Sequence, residues 1–136
     1  MAIKKHRRMA QMGAQMITTD AFRNWLPLRQ LSLAHLSKHG DCAAVYGFRD
    51  HSTGEMLKFG NTGHLRNRMF RNYIGGVGGG TTQRIHAELF VSDMIDRVEV
   101  AWLQTEDKAQ AVRKEKEFRA EYKKVVGRRP IWDRLD

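Results

Sequence analysis

A chain of 136 residues is long enough to bury one hydrophobic core and too short for two, so a single domain with one site is expected. Lysine and arginine outnumber aspartate and glutamate by 24 to 15, a formal charge of +9. That excess points to a polyanionic partner, because clustered cations gain free energy by releasing counterions from phosphates. The one cysteine, Cys42, excludes an intrachain disulfide, and the opening Met1-Ala2-Ile3-Lys4-Lys5-His6-Arg7-Arg8 lacks the apolar run of a secretory signal or membrane span. A reducing cytoplasm is the expected location.

Residues 1–16 read as a basic, methionine-rich arm without a clear period, and 17–136 as the single domain. Asp20 is placed to cap a helix running to about Ser37, with Phe22, Trp25, Leu28, Leu31, Leu33 and Leu36 as its apolar residues and Gly40 as its stop; Pro27 must fall near its first turn or break it. Residues 42–49 and 55–60 are short apolar runs on either side of Asp50-His51-Ser52-Thr53-Gly54, which predicts a hairpin. A five-residue loop pairs positions whose numbers sum to 104, setting Tyr46 opposite Lys58 on one face and Val45, Leu57 and Phe59 on the other.

His64 to Ile74 has a helical period, Gly75 to Gly80 is a glycine-rich break, and Thr81 to Met94 resumes as helix. The break lacks the Gly-Lys-Ser/Thr ending of a P-loop, so nucleotide binding is not expected. Val98, Val100 and Trp102 alternate through a third strand over 97–104. A long helix then starts at Thr105 and stops at Gly127 and Pro130.

Two helices carry polar residues where their period calls for apolar ones. On the last helix Ala111, Val112, Phe118, Tyr122, Val125 and Val126 share one side, and Glu115 projects within that stripe. A carboxylate facing the packed side needs a partner, either an internal arginine or a hard cation. On the helix from His64, Arg68 and Asn72 lie on the side defined by Leu65 and Met69. Arg68 then either pairs with Glu115 or offers its fork to a phosphoryl oxygen.

Ala44-Val45-Tyr46, then Lys58-Phe59-Gly60-Asn61-Thr62 and Leu65-Arg66-Asn67-Arg68, resemble the signature of the GIY-YIG nucleases, whose second half reads tyrosine, apolar, glycine, polar, threonine or serine, then Leu-x-x-Arg. Glu115 through Phe118 and Tyr122, with Pro130-Ile131-Trp132-Asp133, is similar to that family's closing glutamate helix and Pro-x-x-Asn end. The resemblance covers residues 42–134.

It implies an α+β fold, a small three-stranded, mostly antiparallel sheet flanked by helices, and a metal-dependent endonuclease acting on DNA. Tyr46 with Lys58 would activate or orient water, Arg68 would stabilise phosphate charge, and Glu115 would hold one Mg²⁺ or Mn²⁺. Lys58 replaces the second signature tyrosine, Asn72 stands four residues after the arginine where the family often has histidine or tyrosine, and Asp133 stands at the closing asparagine. The spacing to Pro130 leaves Glu121 as the other candidate ligand. Arg66, Arg71, Thr81, Thr82, Arg84, Arg128 and Arg129 are the expected nucleic-acid contacts. Two alternatives remain: a catalytically weak nucleic-acid-binding module of the same fold, and a basic structural protein with an internal Arg68–Glu115 ion pair.

Overall fold

The structure, a computed structural model, describes residues 22–37 and 41–135; the expected basic arm and the caps at Asp20 and Gly40 lie outside the described residues. The fold is mixed α+β, with a four-stranded antiparallel sheet rather than the expected three-stranded one. The extra strand is β1 (Leu26–Pro27), which is followed by a 3₁₀ turn at Leu28–Gln30 and a short helix α1 (Leu33–Ser37). The single long helix expected here does not form over the described residues. Pro27 forces Leu26 into extended backbone, and the segment adds a strand to the sheet instead.

Strands β2 (Ala44–Asp50) and β3 (Met56–Thr62) form the hairpin, and β4 (Val98–Gln104) lies on the other side of β2. The sheet order is β1-β4-β2-β3, so β3 is an edge strand. The loop is shorter than expected: Asp50 N donates to Glu55 O at 2.8 Å, and Gly54 makes the turn at a positive φ of 73°. A bulge then inserts Leu57 between the Phe48–Lys58 and Arg49–Met56 pairs. Together these move the register by two residues. Tyr46 therefore opposes Gly60, not Lys58, and Leu57 turns over to join Phe48 in the core. Because the shift is even, Tyr46 and Lys58 keep a common face.

On that face Tyr46 and Phe48 pack against the helix that begins as α2 (Leu65–Asn67) and continues as a π-helix over Arg68–Ile74, and against α3 (Gly80–Phe90). Leu65, Met69, Tyr73, Ile85 and Leu89 complete this core. α3 is shorter than the sequence suggests, because Asp93 interrupts it in a left-handed conformation and a 3₁₀ turn follows at Met94–Asp96.

The opposite face, Val45 and Phe59, is covered by Phe118 and Tyr122 of α4 (Lys108–Val126) and by Phe22. Asp107 caps α4 by accepting from Gln110 N at 2.8 Å, so the helix starts later than Thr105; Gly127 closes it at a φ of 87°. Beyond it, Trp132 packs against Phe48 on the first face, while Asp133 pairs with Arg119 of α4 on the second. The last turn thus straddles the sheet beside β3.

Candidate functional site

Tyr46 projects from the middle of β2, and its ring lies across Gly60 of the edge strand. A Cβ at residue 60 would stand 2.2 Å from Tyr46 Cζ and 2.4 Å from its hydroxyl, so only glycine permits this crossing. The hydroxyl meets two groups from the helix above. Arg68 Nε donates to it at 3.2 Å, and the Tyr73 hydroxyl lies 2.6 Å away.

Arg68 is held on three sides. Its Nη1 donates to Thr82 Oγ1 at 3.1 Å, its guanidinium covers the Tyr73 ring at 4.5 Å, and Asn72 Oδ1 is a distant 3.5 Å from Nη1. The π-helical backbone explains why Tyr73 joins the group. Bonding from i to i+5 widens the turn, so the residue that follows Arg68 on its own face is the fifth, not the fourth. Asn72 is displaced toward the glycine-rich loop, where its Nδ2 donates to the Val77 carbonyl.

Burial holds the Tyr46 phenol above its ordinary pKa, against the pull of Arg68 and the hydrogen bonds from Tyr73 and Arg68, and the charge of Glu115 pushes it further up. Tyr73 is raised well above its ordinary value by burial and then by Tyr46. Both phenols therefore keep their protons at neutral pH. Burial opposes the charge on Arg68, but Tyr46 and Tyr73 outweigh it, so the guanidinium stays charged. Two hydroxyls and a fixed guanidinium at one point suit an anionic oxygen.

Glu115 reaches the same strand from the opposite face. It is only 7% exposed; Asn61 Nδ2 donates to its Oε2, and Arg119 Nη2 lies 3.0 Å from its Oε1. The Arg68–Glu115 ion pair of the structural alternative is thus not formed: Arg68 is committed to Tyr46 and Thr82, and Glu115 to Arg119. Glu115, not Glu121, is the α4 carboxylate that meets Asn61. Among the described residues no three His, Cys, Asp or Glu side chains converge. The local donor set is the Glu115 carboxylate with the Asn61 amide beside it and Asp133 across Arg119, which suits a hard cation that keeps much of its water, such as Mg²⁺ or Mn²⁺. The guanidinium at Oε1 marks a position that accepts positive charge.

Lys58 is 5% exposed, on the Tyr46 face two residues before Gly60. Of the expected nucleic-acid contacts, Thr82 is buried and spent on Arg68; Thr81 and the exposed Arg84 share its helix. Arg71 is exposed on the π-helical segment, and Arg66 is half-buried near Asp41, whose Oδ1 accepts from its backbone N–H. Arg128 is not brought to the group: it pairs with Glu55 at the turn end of the hairpin, roughly 17 Å along β3 from Gly60. Arg129 is exposed beside it.

Tyr73, Asn61 and Arg119 belong to the constellation and were not singled out by sequence. Arg119 carried a usable signal, since it lies four residues after Glu115 on one helix. Comparison with protein-family models, with curated proteins and with solved structures finds no match to this chain.

Proposed function

We propose that this protein is a metal-dependent endonuclease hydrolysing DNA phosphodiester bonds, of the GIY-YIG type that its sequence resembles. The observation that carries the reading is the meeting of Tyr46, Tyr73 and Arg68 at one point, with Glu115 across the edge strand. In this account Arg68 receives a non-bridging phosphoryl oxygen and stabilises the charge that grows on it. Tyr46, kept protonated by burial, orients the attacking water through its hydroxyl, and Tyr73 fixes that hydroxyl. Lys58 adds a positive charge on the same face.

Glu115 is the residue that would hold a divalent cation, oriented by Asn61 and Arg119. When bound, the cation supplies Lewis-acid charge toward the phosphate and its leaving oxygen. Arg66, Arg71, Thr81 and Arg84 follow the DNA backbone around the site, and Thr82 acts through Arg68. Cleavage of plasmid DNA that requires Mg²⁺ or Mn²⁺ tests this reading.

One observation favours the second reading, a nucleic-acid-binding module of the same fold: Tyr46 is 1% exposed and both Glu115 oxygens already have partners. Such a module retains DNA in chelator and cuts none when metal is restored.

A further inference from the structure

Two carboxylates, Glu115 and Asp133, are buried around one arginine. Arg119 Nη2 lies 3.0 Å from Glu115 Oε1 and 3.3 Å from Asp133 Oδ1, and it donates to the Phe59 carbonyl at 3.2 Å. One nitrogen with two hydrogens serves three oxygens, so charge as well as direction holds the cluster. Without Arg119 the two buried carboxylates would lose the cation they share, and removing one partner of a buried ion pair is strongly destabilising.

The third contact gives the cluster a place in the site. Phe59 immediately precedes Gly60, the residue that the Tyr46 ring crosses, so Arg119 ties the Glu115 helix to the strand at that crossing. Asn61, one residue beyond Gly60, holds the other oxygen of Glu115. Both carboxylate oxygens are thus referenced to β3 within three consecutive residues, 59–61.

We infer that Arg119 is the positioning residue of Glu115: anchored on the Phe59 carbonyl and balanced by Asp133, it fixes the carboxylate relative to Tyr46. This rests on the reading of Glu115 as the ligand of a divalent cation. A guanidinium that merely neutralised charge would have the opposite effect on that cation. Its removal would leave two carboxylates for Mn²⁺ and tighten binding, whereas removal of a positioning group weakens binding, typically by about 10- to 100-fold.

The test is Mn²⁺ affinity of the full chain, read by electron paramagnetic resonance without DNA, for wild type, Arg119→Gln and the double variant Arg119→Gln with Asp133→Asn. The double variant removes the Asp133 charge together with the Arg119 charge that balances it, so it keeps the test open if Arg119→Gln alone fails to fold. Weakening by about tenfold or more in the folded variants is expected. Unchanged or tighter Mn²⁺ binding overturns the inference while leaving Glu115 as ligand. A wild-type protein that binds no Mn²⁺ overturns the ligand reading itself, and the inference with it.

Discussion

The hydroxyls of Tyr46 and Tyr73 lie 2.6 Å apart, joining the centre of a strand to a π-helical turn 27 residues later. Asn72, one residue earlier, instead braces the glycine-rich loop through the Val77 carbonyl. Tyr73→Phe is therefore expected to slow DNA cleavage by about 100-fold, and Asn72→Ala by less than tenfold, in single-turnover assays on folded protein. A larger loss from Asn72→Ala than from Tyr73→Phe would contradict the assignment.

Gly60 has no room for a methyl group, because the Tyr46 ring occupies it. Gly60→Ala should destabilise the fold by about 1–3 kcal/mol in urea denaturation, the usual cost of overpacking a core. It should also abolish cleavage by moving the Tyr46 hydroxyl from Arg68. Wild-type stability and activity in this variant would show that the crossing is not required.

All three tyrosines of the chain, Tyr46, Tyr73 and Tyr122, are raised, in each case first by burial. For an acid whose folded pKa is raised, the native state holds the proton after the unfolded chain has lost it. The stabilisation is present in full below the unfolded tyrosine value of about 10 and fades as pH rises through the folded values. Absorbance at 295 nm should therefore lag a model tyrosine and rise together with loss of circular dichroism. Three phenols that ionise near 10 in folded protein would contradict this.

The hairpin, β4 and α4 were legible because local chemistry fixes them: turn residues at 50–54, strict alternation over 98–102, and a capped helix ending on Gly127. The inward side of Glu115 followed from a regular period. Sequence reading failed where the period breaks. The bulge at Leu57 shifted the register, and the π-helix exchanged Asn72 for Tyr73, and neither leaves a mark in residue spacing. The N-terminal segment failed for another reason: its apolar spacing suggested a helix, but Pro27 and the open edge of β4 favoured a strand.

The proposed DNA contacts divide by position. Arg71 is exposed on the π-helical segment that carries Arg68, and Arg128 is engaged with Glu55 at the far end of the hairpin. Arg71→Ala should lower the slope of log affinity against log salt by about 1, the signature of one lost phosphate contact, and Arg128→Ala should leave it unchanged. Fluorescence anisotropy with duplex DNA in chelator reads both. Equal slopes for Arg71→Ala and wild type would remove Arg71 from the interface.

The most direct measurement is nicking of supercoiled plasmid in Mg²⁺ or Mn²⁺ by wild type beside Glu115→Gln, with folding checked by circular dichroism. Wild type is expected to nick the plasmid, chelator to stop the nicking, and the folded variant to lack it. Plasmid that stays supercoiled with wild type in both metals, while DNA binding is intact, would contradict this.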